Sequence, residues 1–459
     1  MTQATLTELK RTTALAAPLI LAQLAQVSMT LIDTLMVGRL GNEALAAIAL
    51  GSSVFMMALI VGMGVMFAVS PTVSQAHGAG DEAMVARATR QGLWLALGLT
   101  VPALVLFWSA APLLTLMGQD PETVRLAAGY LQAISWGYLP GLWLIGLRGL
   151  LEGISNPRPV MLIAFAGVGL NIFANNALMF GRFGFPALGL VGTGWASTFV
   201  FWMMFLLAAL YVQVTMPKLQ VFTKIRTPDF SVLRDLFIVG WPIGLTLGFE
   251  GGLFSVTALL MGLVGTTELA AHQIAIQTAS FTFMVPVGLS SATAVRVGQA
   301  VGRKDAESVQ RASGVGLSLS LGFMMLTALT FWLVPERIVS LYLDSSDPTN
   351  RAVVDTAVLF LGFAAAFQMF DGVQVSAAGA LRGLKDTRLP MLISLFAYWG
   401  VGMATGVTLT FGLGVGGRGL WAGLVVGLVV AAGLLSWRLW RKTRLRVSAK
   451  QVRFGGVSK

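Results

Sequence analysis

The chain contains no cysteine. That excludes disulfide staples, thiol nucleophiles and thiolate metal sites. Histidine is almost as scarce, with His77 and His272 alone; both read as structural, and any metal site must be assembled from carboxylates and neutral oxygens. Charged residues make up 11% of the 459 positions, against about 25% in a soluble domain. No Gly-Lys pair occurs anywhere, so the phosphate-cradling P-loop and nucleotide-driven pumping are excluded. Gly412, Gly414 and Gly417 satisfy GxGxxG, but they sit between two apolar runs with no strand or βαβ unit around them, and a dinucleotide fold is set aside.

What the chain has in abundance is apolar sequence, 56% of all residues. It divides into twelve runs, roughly 13–38, 44–74, 91–114, 127–147, 159–181, 187–214, 236–262, 269–295, 312–334, 353–381, 389–411 and 416–437. A hydrocarbon core of about 30 Å takes around 20 helical residues, so each run is long enough to cross. The expected fold is an all-α polytopic membrane protein. The net charge of +11 fits that topology without a nucleic-acid partner. Lys and Arg counted on alternate sides divide 25 against 6, which puts both termini in the cytoplasm by the positive-inside rule. The first dozen residues are polar and lead into a span with no small-residue cleavage site, so the first helix is expected to be retained.

The chain is also duplicated. Pro18 recurs 224 positions later as Pro242, and Gln75, Ala76, Gly78 and Asp81 recur at that offset as Gln299, Ala300, Gly302 and Asp305. Leu151, Gly153, Arg158 and Met161 recur 230 positions later as Leu381, Gly383, Arg388 and Met391. Each repeat holds six spans, an even number, so both halves start on the same side of the membrane and are related by a pseudo-two-fold axis along its normal. Two six-helix bundles around a central cleft are expected, over 1–216 and 236–437, with a polar, Pro-bearing cytoplasmic linker at 217–235 and a basic cytoplasmic tail at 438–459 that anchors at anionic headgroups.

Chemistry is sought where polar groups lie inside spans, because an ionisable group at bilayer depth costs roughly 2.5–3.5 kcal/mol and by default lines a cavity or ion path. The deep acids are Asp33, Glu250 and Asp371. Gln23, Gln26, Thr30 and Asp33 step by 3, 4 and 3 and share one helical face, as do Gln368, Asp371 and Gln374. Asn171 with Asn175, and Gln273 with Gln277, add amide pairs at i, i+4. Oxygen-rich side chains around a carboxylate suit a hard cation such as Na⁺, and the same carboxylate, desolvated, can carry a proton instead. Phe254, Phe283, Met284, Met369 and Phe370 are candidates to line a pocket for flat cationic rings. An intramembrane enzyme would need a nucleophile with a base or a metal site, and neither is evident. A channel gives no reason for two six-span halves.

Several of these motifs are long and specific. MFDGVQVSAAGALRGLKDT in the tenth span, IDTLMVGRLG in the first, the Asn171 and Asn175 pair, Glu250 after WPIGLTLGF, and AAHQIA opening the eighth span resemble the multidrug and toxic compound extrusion (MATE) family over essentially the full length, and its NorM-type branch in particular. The resemblance implies a secondary antiporter, not an enzyme, that exports organic cations and other amphipathic toxic compounds in exchange for Na⁺ or H⁺ by alternating access. It implies a monomer in the bacterial cytoplasmic (inner) membrane, in contact with lipids, with no cofactor beyond the coupling ion. It also implies that Glu250 and Asp371 form the acidic pair of the C-terminal bundle, while Asp33, Asn171 and Asn175 form the N-terminal cation site with a hydroxyl from Ser197 or Thr198. A flippase for lipid-linked precursors shares the broad architecture, but it calls for a cationic cleft, whereas the deep groups noted here are acids and amides.

Overall fold

The computed structural model describes residues 3–224, 228–344 and 347–455. Residues 225–227 of the expected linker and 456–459 of the basic tail lie outside them. Among the described residues there are twelve long helices: α1 Gln3–Val37, α2 Asn42–Met66, α3 Glu82–Trp108, α4 Pro121–Gly153, α5 Arg158–Leu178, α6 Gly189–Thr215, α7 Phe230–Val264, α8 Thr266–Gly302, α9 Ala306–Leu333, α10 Arg351–Gly383, α11 Arg388–Gly412 and α12 Gly417–Gly455. α2 resumes after a break at Phe67 and Ala68 and runs on as Val69–Gly78. No strand occurs among the described residues.

Eleven of these helices are long and apolar enough to cross a membrane; α4, which contains the expected span 127–147, is not among them. Its composition explains this. Gly129, Gly137, Gly141, Gly146 and Gly149, with Trp136, Tyr138 and Trp143, lower its hydropathy, yet 19 of its residues are buried. A helix enclosed by protein needs close packing more than lipid solubility, and its glycines allow that: a Cβ on Gly149 would lie 3.2 Å from Val69 Cβ.

The chain forms two compact units. One is Leu21–Gly244; the other joins Met1–Ile20 to Leu245–Lys459. These limits differ from the 1–216 and 236–437 expected from the sequence, because α1 and α7 are each shared between units. Both are 35 residues long, about 52 Å at 1.5 Å per residue. Each divides two residues after a proline, Pro18 in α1 and Pro242 in α7, where the missing backbone N–H weakens the helical ladder. Within the second unit, the start of α1 packs Leu15, Ala16 and Leu19 against Leu289, Ala292 and Val295 of α8, and Arg296 grips Glu8 with both Nε (2.8 Å) and Nη2 (2.7 Å).

The repeated residues are the turns between helices. Asp81 and Asp305 cap α3 and α9, each accepting from the backbone N–H three residues on, at 2.8 and 3.2 Å, and each donates its own N–H to Ala76 or Ala300. Ser155 and Lys385 both take positive φ, 61° and 56°, and Asn156 and Asp386 donate backbone N–H groups to Leu151 and Leu381. Gly153 meets Val73 and Gly383 meets Val297, with 2.9 and 3.0 Å from a would-be Cβ to the valine Cβ. A side chain there would push the helices apart, so the duplication conserves both the turn and the packing beside it.

Candidate functional site

In the unit Leu21–Gly244, three of the expected residues come together. Asn171 and Asn175 stand one turn apart on α5, both buried, and donate from Nδ2 to the same oxygen, Asp33 Oδ1, at 2.9 and 2.6 Å. The amide oxygens of both asparagines are buried with no hydrogen-bond partner. Asp33 is half-buried near the end of α1. The cluster therefore offers one carboxylate and two uncommitted carbonyl oxygens. Thr198 is buried and donates its hydroxyl to the Ala133 carbonyl on α4 at 2.7 Å, while Ser197 is half-buried.

Deeper along α1, Gln23 accepts from Arg148 Nη1 at 3.2 Å, and Arg148 Nε pairs with Glu152 at 2.5 Å. Gln26 and Arg148 line a small cavity of about 40 Å³ with Ala22, Met204 and Ala208. The polar face of α1 thus splits into a carboxylate cluster near the end of the helix and an arginine cluster nearer its middle.

In the other unit, Glu250 on α7 is half-buried and Asp371 on α10 is buried. Glu250 is close enough to both Asp371 and Arg382 for their charges to interact. Asp371 Oδ1 has no hydrogen-bond partner. Gln368 accepts from Thr282 at 3.0 Å, and Gln374 donates from Nε2 to Tyr398 Oη at 2.7 Å, leaving its own Oε1 unpaired. Asp371 Oδ1 and Gln374 Oε1 are thus acceptors without donors, and Gln368 Nε2 is a donor without an acceptor; beside an acid pair, such unpartnered groups suit protons, waters or a small cation.

Tyr398 and Trp399 carry much of this geometry. Both lie in a π-helical stretch of α11, Phe396–Met403. Tyr398 reaches α10 through Gln374, and its neighbour Trp399 donates from Nε1 to the Phe249 carbonyl on α7 at 3.2 Å. Consecutive residues thereby hold the two helices that bear the acids. π-Bulges recur at functional sites because they redirect side chains in this way. Neither residue announces the role in sequence, because two adjacent aromatics in an apolar run carry no pattern.

Of the pocket candidates, Phe254, Met369 and Phe370 are half-buried against one core cluster, and Phe254 stands edge-on to Phe367 at 6.0 Å. Phe283 and Met284 are half-buried. Gln273 and Gln277 are exposed on α8. His272 is buried edge-on to Trp421 at 5.5 Å, inside the bundle core. The buried Arg296 and the half-buried Arg148 and Arg382 were missed from sequence. Arg148 and Glu152 were legible as an i, i+4 pair, whereas Arg382, which donates to Ser290 at 2.8 Å, and Arg296, whose partner Glu8 is 288 residues away, were not.

The MatE family model matches residues 18–176 and 242–408. A probable multidrug resistance protein NorM of Deinococcus radiodurans is 43% identical over 443 residues, 96% of this chain and 97% of that protein. One of Mesorhizobium japonicum is 40% identical over 442 residues, 95% of each. Among solved structures, a MATE protein in a bent conformation superposes with TM-score 0.87 at 20% identity over 98% of this chain and 99% of that one, and a eukaryotic MATE transporter with 0.82 at 22% over 96% and 99%. With that fold, multi-pass helices and sequence relationship, the chain belongs to the MATE family, in its NorM-type branch.

Proposed function

We propose that this protein is a multidrug efflux transporter, specifically a secondary antiporter that expels organic cations and amphipathic toxic compounds in exchange for inward Na⁺ or H⁺ by alternating access. The NorM names of its relatives support efflux of drugs. The observation that carries the coupling is Asp33 between two buried amides whose oxygens have no partner.

That arrangement has two stable states. Without a cation, the two N–H groups satisfy the carboxylate. When a cation arrives, each amide turns about χ2, exchanging N–H for C=O, and the ion takes oxygens from Asp33, Asn171 and Asn175. Hard cations bind such oxygen sets. A proton on Asp33 weakens the same bonds by removing the charge they stabilise. In the other unit, Glu250 and Asp371 attract a lipophilic cation while ionised, and Phe254, Met284, Met369 and Phe370, with Gln273 and Gln277, offer it apolar and amide surface. Neutralisation of the acid pair by the incoming ion then favours release. Occupancy by drug and by coupling ion is mutually exclusive, and this yields exchange. Each net charge moved inward per cycle through 100 mV supplies roughly 2.3 kcal/mol, while a one-for-one exchange of monovalent cations draws on the concentration gradients alone.

The orientation with both termini cytoplasmic rests on the 25 to 6 division of Lys and Arg, and placement as a monomer in the bacterial cytoplasmic membrane rests on the resemblance to the NorM-type branch. A lipid-precursor flippase would need free cations for a pyrophosphate. Arg148 and Arg296 are instead occupied by Glu152 and Glu8, which disfavours that reading. The decisive experiment follows ethidium in proteoliposomes under an imposed Na⁺ gradient, with pH and potential clamped, and then under a proton gradient. Movement with either establishes antiport and its ion. A folded protein inert to both returns the flippase to first place.

A further inference from the structure

Where α5 begins and α6 ends, the unit Leu21–Gly244 has an open cleft of about 550 Å³. Its mouth is polar, formed by Asn156, Arg158 and Tyr211, and its walls are apolar, formed by Leu162, Ile163 and Leu207. Leu162 is 62% exposed and Leu207 41%, so these walls are not filled by the protein's own side chains. Arg158 is exposed and makes no ion pair among the described residues. Asn156 donates from Nδ2 to Tyr211 Oη at 3.0 Å. The phenol accepts that bond, and its own proton remains available to another acceptor.

The second repeat treats the equivalent place differently. At the 230-residue offset Asn156 becomes Asp386 and Arg158 becomes Arg388. Asp386 is held by Arg438 at 2.9 Å and by Lys442 at 3.5 Å, both on α12. There the chain supplies its own anion to its own cations. In the first repeat the carboxylate is an amide, and the α12 cations correspond to Ala208 and Val212 of α6. A cation and a hydroxyl donor remain, with no protein anion between them.

We propose that this cleft is a binding site for an anionic glycerophospholipid, with the phosphate on Arg158 and the Tyr211 hydroxyl and one acyl chain along Leu162, Ala166 and Leu207. Guanidinium and phenol donors match phosphate oxygens. The volume falls in the range of ligand sites, about 300–1,000 Å³. A zwitterionic lipid brings its own cation to a place already holding one, so the anionic headgroup is preferred. The position suits a lipid, since Arg158 follows a helix connection on the side of the chain richer in basic residues and the cleft walls run from there into the span.

The test uses the full-length protein in proteoliposomes containing phosphatidylglycerol with a photoactivatable group on one acyl chain, followed by mapping of the labelled peptides. Labelling is expected to concentrate on α5 and α6 around Leu162, Ala166 and Leu207. Arg158→Gln is expected to reduce labelling there about fivefold, the change one basic contact at a membrane surface confers, with background labelling of lipid-facing Val105 and Leu326 unchanged as the control for folding. Arg158→Lys should retain most of it, and Arg388→Gln should leave it untouched. Equal labelling in Arg158→Gln and the parent, or equal labelling by a photoactivatable phosphatidylcholine, would overturn the proposal and reduce the cleft to an ordinary patch of lipid-facing surface.

Discussion

Asp33 accepts two amide hydrogen bonds at one oxygen, and that geometry separates a structural role from an ion-binding one. Asp33→Asn keeps an oxygen for the asparagine donors while deleting the charge. The variant is expected to fold, and its ethidium efflux to lose its dependence on the coupling ion; unchanged ion dependence would make Asp33 a packing residue. Asp371→Asn and Glu250→Gln are expected to abolish efflux in proteoliposomes with the protein still folded, and near-normal efflux from either would remove that acid from the mechanism. Tyr398→Phe deletes the acceptor of Gln374 Nε2. Such bonds inside membranes average about 0.6 kcal/mol and reach about 1.7, so thermal stability should fall only slightly while efflux falls severely. A large loss of stability with efflux intact would mark Tyr398 as structural instead.

At the scale of elements, the start of α1 depends on a buried charge pair. Removing one member of such a pair costs about 3–5 kcal/mol because the other charge stays buried. Glu8→Ala, which strands Arg296, is therefore expected to lower the melting temperature in detergent sharply, and Glu8→Gln to lower it less. Close helix packing makes a second prediction. A Cβ on Gly379 of α10 would sit 2.5 Å from the Ser290 carbonyl of α8, whereas one on Gly314 of α9 meets nothing within 4 Å. Gly379→Ala should destabilise the protein. Gly314→Ala should be neutral or stabilising, since alanine suits a helix interior better by roughly 0.5–1 kcal/mol. Parallel melting curves check both. The repeats were legible in sequence because helix-connecting turns require particular residues at fixed spacing, Asp to cap and Gly to let a neighbour in. The π-helical stretch of α11 was not, since Phe396 to Met403 is as apolar as any spanning run.

For the whole molecule, the natural absence of cysteine offers a direct test of topology. Gln119→Cys, in the connection between α3 and α4, and Lys218→Cys, just after α6, place single thiols at exposed sites on opposite sides of the expected membrane. In intact cells a membrane-impermeant maleimide is expected to label the first and to reach the second only after permeabilisation. The reverse pattern would invert the charge-based orientation.

Periodicity, charge placement and duplication are local or additive properties, so the chain's order of residues suffices for twelve spans, two repeats, the cation-bearing side and the acids Asp33, Glu250 and Asp371. Partnership across distant residues is not additive. Both asparagines turned to one carboxylate oxygen, Tyr398 and Trp399 bridging α10 and α7, Glu8 meeting Arg296, and the division of α1 and α7 after Pro18 and Pro242 all arise from packing. In packing, which donor meets which acceptor depends on helix rotation and register that no stretch of sequence encodes alone.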